Sequence, residues 1–146
     1  MIAISPLAQL TALQTHALFK LRVDVFVVEQ QCPFAEIDDI DAHPDTRHLL
    51  AWSDEDPAEL LGCARVFPTD SGSRFGRFVV APAARGTGLG HEIVRTGIAY
   101  TQRFSGDLVI EAQSGLVGYY TGFGSVAEGE EFPDAGIPHV MMRLRR

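Results

Sequence analysis

Residues 79–90 read V-V-A-P-A-A-R-G-T-G-L-G, and no other stretch restricts the fold so tightly. Val79 and Val80 end an apolar strand, Pro82 turns the chain, and three alternating glycines open directly into a segment of helical periodicity. A strand feeding a helix in this way is the first half of a right-handed crossover between parallel strands. The loop itself is an anion cradle. Without a Cβ at 86, 88 and 90, the backbone amides beside Arg85 can turn inward, and the new helix adds unpaired N–H groups and its positive dipole end. A diphosphate fits there.

The spacing excludes two common diphosphate loops. A triphosphatase loop ends in Gly-Lys-Ser/Thr, whereas Gly90 is followed by His91-Glu92. The dinucleotide fingerprint needs G-x-G-x-x-G, and this chain has Gly86-x-Gly88-x-Gly90. The bland alternative is a glycine turn that feeds an ordinary helix.

Around this loop the periodicity supplies the other elements. Residues 2–4 form a short apolar start. Leu10, Leu13, Ala17, Leu21, Val25 and Val28 then share one helical face, with Ser5-Pro6 suited to the helix start. Residues 31–46 lose periodicity and hold Pro33, Pro44 and a run of acids, which predicts a long irregular loop with a function. Strands are expected at 48–52, 60–67 and 75–80. A helix follows over 89–104, with Gly97 allowing close packing on the sheet, then a buried strand at 108–112. A short helix at 114–121 contains Gly115 and Gly118 and abuts Gly122; each glycine weakens it by up to ~1 kcal/mol relative to alanine, so tertiary contacts must hold it. Strands at 126–132 and 139–144 close the chain. The result is one α/β domain over 1–146 with a sheet of mixed direction, and ligands in such sheets enter beyond the carboxyl ends of parallel strands.

A net charge of −7 argues against nucleic acid as a partner. The acids at Glu36, Asp38, Asp39, Asp41 and Asp45, and again at Asp54, Glu55, Asp56 and Glu59, read as solvated loop surface; a functional alternative is that the first group draws a cationic amine to a cleft. No apolar run approaches a membrane span, and no export signal is visible at the start, so a cytoplasmic location is expected. Cys32 and Cys63 have neither C-x-x-C nor zinc-finger spacing, so no metal and no disulfide framework are indicated, and both are expected to be small, at least half-buried thiols.

Several segments together resemble a known family. Leu21-Arg22-x-x-Val25-Phe26-Val27-Val28-Glu29-Gln30-x-Cys32-Pro33, Ile37-Asp38, Arg47-His48-Leu49, the Arg85 loop, Ala112-Gln113, Tyr120 and Gly136-Ile137-Pro138-His139 are similar to the ElaA-like subgroup of GCN5-related N-acetyltransferases. The resemblance implies the GNAT fold, a mixed, mostly antiparallel sheet whose two central parallel strands, here 75–80 and 108–112, splay apart between flanking helices. It implies acetyl-CoA as co-substrate and an amine as acceptor. Pantetheine would contact Phe78, Val79 and Val80, and the pyrophosphate would lie against Gly86, Thr87, Gly88, Leu89, Gly90 and His91, with Arg85 holding the loop or adding charge. Gln113 stands where the family often has an Asn or Gln that bonds the pantetheine arm.

The implied reaction is direct acyl transfer, which needs a carbonyl polariser, an acid for the departing sulfur and a base for the amine. The polariser is expected to be a strand N–H near Val80. Tyr120 resembles the family's acid, four residues before the glycine of a Gly-Phe pair; here that glycine is Gly124, and Ser125 replaces the Phe. Reading Gly122-Phe123 as the pair would put Gly118 at the tyrosine position, so Tyr120 with Gly124 is preferred, and Tyr119 is expected in the core. The glutamate that many relatives carry early in the second splayed strand is Leu108 here. Glu29 ranks first as base, ahead of Glu111, His48 and His139, because it stands where the first helix enters the acidic loop. The alternative reading is a non-catalytic acyl-CoA-binding module that keeps the cradle without effective acid–base groups; a further one is an interaction domain with an incidental glycine turn. Acceptor identity and oligomeric state, a homodimer included, stay open.

Overall fold

Alternating apolar residues place strands at β1 (Ile2–Ser5), β2 (Arg47–Trp52), β3 (Leu60–Thr69), β4 (Gly72–Val80), β5 (Asp107–Gln113), β6 (Val126–Asp134) and β7 (Ile137–Leu144). The computed structural model describes residues 1–31, 35–134 and 136–146. These strands form one sheet in the order β1-β2-β3-β4-β5-β7-β6, antiparallel at every junction except β4 with β5. The helix α3 (Leu89–Thr101) crosses over between those two parallel strands, as the glycine loop requires.

The parallel pair decides what the fold can do. Its register runs from Gly72 against Asp107 to Phe75 against Ile110 and stops there, although β4 continues to Val80 and β5 to Gln113. Past Phe75, β4 stays with β3 alone: Arg65 faces Gly76 while Cys63 faces Val79, so β4 carries one extra residue in a bulge. Arg77, in that bulge, has φ of 51°. The two strands therefore part into a wedge.

The first helix differs from the periodicity reading. Ser5 is a strand residue opposite His48, and the helix starts at a capping box: Thr11 accepts from the Gln14 amide while the Gln14 side chain accepts from the Thr11 amide. From there α1 (Ala12–Val23) runs into a π-helical turn, Asp24–Glu29, which shifts the phase of everything after it. Leu18, Arg22 and Val25 are buried, whereas Leu13 is 81% exposed and Val28 65%. The supposedly irregular stretch 31–46 also contains a helical turn, α2 (Asp39–Ala42).

Packing uses both faces of the sheet. Leu18 and Val25 pack with Leu50, Cys63 and Val79 on one face, while Ile93 and Val94 of α3 pack with Leu49, Val66, Phe75, Leu108 and Ile110 on the other. Each such side chain contributes roughly 1.5–3 kcal/mol on burial. Gly97 is what lets α3 approach: a Cβ there would stand 2.6 Å from the Phe75 ring. The short helix α4 (Val117–Thr121) follows β5 and buries Tyr120 in the α3-side core.

Candidate active site

The glycine loop leaves β4 through a 3₁₀ turn, Pro82–Ala84, and reaches α3 with Gly86 at φ 80° and Gly88 at φ 87°. Both conformations belong to glycine. Nothing lies within 4 Å of a Cβ built at either, so the loop opens onto free space, and Gly88 stands at the N-cap with no capping side chain. The Glu92 amide is the first to close, onto the Gly88 carbonyl at 3.2 Å, which leaves the preceding amides of the first turn directed outward. Two left-handed glycines and an uncapped helix start fit a diphosphate. Arg85 is a strap: its Nε donates to the Val80 carbonyl at 3.1 Å, and Nη2 meets Glu29 Oε1 at 3.0 Å.

Where the strands part lies a cleft of about 420 Å³. Phe75 and Phe78 of β4, Gln113 of β5 and Tyr120 wall it, together with Phe26, Glu36, Asp38 and Arg65. The Ala81 amide bonds Leu61 on β3, so alternation turns the backbone groups of Val80 away from β3 and toward the wedge. Val79 differs from its neighbours: only 4% exposed, its side chain belongs to the α1-side core. Gln113 donates to Gln30 Oε1 at 3.3 Å, tying the end of β5 to the end of the first helical segment.

Tyr120 is 4% exposed, and burial pushes its phenol further above the ordinary value, so it stays protonated at neutral pH. Ser125, at the place of the family's Phe, donates from Oγ to the Tyr120 carbonyl at 2.8 Å and so secures the end of α4. Gly124 takes φ 97° while Gly122 is helical at −60°, so the positive-φ glycine is the one four residues after Tyr120. Tyr119 lies flat against Phe78, with centroids 6.2 Å apart, and its buried hydroxyl has no partner.

The acidic loop is where the solvated-surface expectation fails. Asp39 and Asp45 are exposed, as are the acids at 54–59, but Glu36 and Asp41 are buried in a network with Arg22, Arg65 and Arg77. Arg22 Nε donates to Glu36 Oε2 at 2.7 Å, and its Nη1 to Asp41 Oδ1 at 2.7 Å. Arg65 reaches Asp38 at 2.7 Å and Asp41 at 2.9 Å. Arg77 Nε lies 3.1 Å from Glu36 Oε2, and its Nη2 3.3 Å from Asp38. Three guanidinium groups match three carboxylates, which is what allows the charges to be buried. Burial alone would raise Asp41, but hydrogen bonds and charge from Arg22, with help from Arg65, hold it at about 2. For Glu36 the balance reverses: burial outweighs Arg22 and Arg77 and keeps its carboxyl above the usual range. Two atoms of the network, Glu36 Oε1 and Arg65 Nε, have no hydrogen-bond partner among the described residues.

The base candidates separate cleanly. His48 is fully buried, with Nε2 2.9 Å from the Asp41 carbonyl and burial lowering its pKa, so it braces α2 and does not face the cleft. Glu29 is held by Arg85 and is not among the residues walling the cleft. Glu111 walls it but is paired with Arg74. His139 also walls it and donates from Nδ1 to the Ile137 carbonyl at 2.7 Å. Burial pushes the Cys63 thiol up to about 12; Cys32 lies outside the described residues. Among the described residues no cluster of His, Cys, Asp and Glu is arranged to hold a metal, and no helix is long and apolar enough to cross a membrane.

The chain and its fold have counterparts among known proteins. A family model for the acetyltransferase (GNAT) domain matches residues 17–146. This chain belongs to the GNAT family. Protein ElaA of Escherichia coli K12 is 34% identical over 140 residues, covering 92% of this chain and 90% of that protein. The crystal structure of an acyl-CoA N-acyltransferase from Pseudomonas aeruginosa superposes with a TM-score of 0.90 at 36% identity, covering 98% of this chain and 97% of the other. The crystal structure of E. coli ElaA also gives 0.90, at 30% identity over 98% of both. This GNAT chain is thus ElaA-like over nearly its whole length.

Sequence reasoning missed the network arginines, although Arg22 carried a signal. Leu18, Arg22 and Val25 fall at i, i+4 and i+7, so the helical period put an arginine on the buried face.

Proposed function

We propose that this chain transfers an acetyl group from acetyl-CoA to a primary amine. The observation that carries the reading is the parting of β4 from β5 beyond Phe75 and Ile110, with the amide loop at the far end of β4 and Tyr120 walling the cleft between. The amides from Gly86 to His91 hold the diphosphate, Phe78 and Val80 flank the pantetheine arm, and Gln113 bonds it from β5. Bound acetyl-CoA supplies the activated acetyl thioester. Val80 N–H, turned into the wedge, polarises the carbonyl oxygen. Tyr120, kept protonated by burial, gives its proton to the departing sulfur. Arg85 holds the loop onto β4, and Glu29, paired with it, serves that strap; the base is a group that walls the cleft.

The test is thioester consumption with a panel of primary amines, run beside thermal shift with acetyl-CoA. Tyr120→Phe should lower turnover by about 10²-fold or more while acetyl-CoA still stabilises the protein. Full turnover by Tyr120→Phe removes the acid assignment. Acetyl-CoA binding without consumption across the panel supports an acyl-CoA-binding module instead.

A further inference from the structure

Glu36 is a built feature that the reaction described so far does not use. Its side chain is 2% exposed; Oε2 accepts from Arg22 Nε at 2.7 Å and lies 3.1 Å from Arg77 Nε, which itself donates to the Glu36 carbonyl at 3.2 Å. Among the described residues nothing donates to Oε1, and the residue walls the same cleft as Tyr120. A buried carboxylate oxygen without a donor costs about 1–3 kcal/mol or more, so folded chains seldom leave one unless something else fills it. Arg65 Nε, the other orphan, is one N–H of a guanidinium whose other nitrogens are bonded to Asp38 and Asp41, a smaller deficit. The missing partner of Glu36 must be a donor, and the cleft that the residue walls is the open space beside it from which a donor can come. The cleft offers that donor an apolar body to sit with: Phe26, Phe67, Phe75 and Phe78 all wall it.

We propose that Glu36 receives the ammonium of the acceptor and takes its proton, and that the acceptor is a primary amine on an apolar, aromatic-sized body; the proposal rests on the transferase reading above. An amine of pKa ≈ 10.4 is neutral in only about one molecule in 2,500 at pH 7, so a proton acceptor at the binding site matters. One N–H bond of the ammonium breaks, its electron pair stays on nitrogen, and the proton goes to Glu36 Oε1. That nitrogen forms the new C–N bond as the C–S bond breaks, with the Tyr120 proton going to sulfur. The second nitrogen proton restores Tyr120 through solvent, and Glu36 releases its own, so one proton leaves per turnover. The position of Glu36 above the usual carboxylate range suits this exchange. The groups around it are Arg22 from α1, Arg65 from β3, Arg77 from β4, Asp38 and Asp41 at α2, and, farther back, His48 from β2.

The test uses the full chain saturated with coenzyme A, titrated calorimetrically with 2-phenylethylamine and with its neutral analogue 2-phenylethanol. The unmodified protein should bind the amine at least tenfold more tightly than the alcohol. Glu36→Gln should erase that preference without changing alcohol binding, and Glu36→Asp, which keeps the charge but withdraws the oxygen, should lie between. In turnover, the deficit of Glu36→Gln should shrink as pH rises toward the pKa of the amine, a rescue that a merely structural role would not give. Equal affinity for amine and alcohol in the unmodified protein overturns the proposal even if Glu36→Gln fails to fold. An unchanged amine KM and pH profile in a folded Glu36→Gln overturns it while leaving the transferase reading intact. Tight amine binding without any thioester consumption keeps the amine site and refutes transfer.

Discussion

Asp41→Asn probes the buried network at its centre. Asp41 is 1% exposed and accepts Arg22 Nη1 at 2.7 Å, Arg22 Nη2 at 3.1 Å, Arg65 Nη1 at 2.9 Å and the Asp38 amide at 3.1 Å. Asparagine has nearly the same shape, but it removes one negative charge from a balanced set and turns an NH₂ toward guanidinium donors. Breaking one side of a buried ion pair costs about 3–5 kcal/mol, which in a domain of this size lowers Tm by about 10–16 °C. The pH dependence has a definite sign. A carboxyl held at about 2 in the folded chain and near 3.9 in the unfolded one contributes about 2–3 kcal/mol above pH 4, lost as pH falls toward 2. Urea unfolding of the wild type, Asp41→Asn and the exposed control Asp39→Asn measures both effects. The control should stay within about 0.5 kcal/mol of wild type. The gap between wild type and Asp41→Asn should narrow as pH falls from about 4 toward 2, because only the wild type has a carboxylate at 41 to protonate. If Asp41→Asn lies within about 1 kcal/mol of wild type at pH 7, or if the gap does not change with pH, the network does not hold this segment in place.

Gly88→Ala should raise the acetyl-CoA dissociation constant at least tenfold and cost about 1–2 kcal/mol of stability, because alanine at φ 87° is strained even though its methyl meets open space; calorimetry and urea melts separate the two effects. Gly97→Ala should destabilise by about 1–3 kcal/mol despite alanine's better helix propensity, since its methyl would stand 2.6 Å from the ring of Phe75, itself 2% exposed; a stabilised variant would show that α3 can shift freely on the sheet.

What the sequence made legible was local. The glycine loop, the parallel crossover and the strand order around it follow from short-range period and turn chemistry, and a strand-loop-helix of that kind allows few other topologies. The helix start was misplaced because Ser5-Pro6 and Thr11 both look like N-caps; only the capping box with Gln14, read together with Ser5 pairing to His48, decides between them. The phase of the helical face went wrong for a different reason. A π turn at Asp24–Glu29 adds a residue per turn, so Val28 rotates out to solvent although a strict α period would bury it. The acidic loop was misread because its partners are distant: Arg22, Arg65 and Arg77 lie on α1, β3 and β4, and charge in a single stretch cannot show that three separate elements neutralise it.

Those partners also connect the acceptor side of the cleft to the wedge. β4 parts from β5 just after Phe75, and the bulge that carries it away contains Arg77 at φ 51°, a conformation costing a residue with a Cβ about 1–2 kcal/mol. The same residue's guanidinium meets Glu36 and Asp38 from the acidic loop. Glu36 in turn holds Arg22 of α1, which is joined through Asp41 to Arg65 on β3, the strand the bulge faces. The strained backbone therefore sits where its side chain is most strongly held. An uncharged side chain at 77 would keep the cost of the bulge and lose the ion pairs that offset it, so Arg77→Leu should lower stability in urea melts. In this chain one group of charges therefore joins the acidic loop, whose Glu36 and Asp38 wall the cleft, to the bulge that stands where β4 and β5 part.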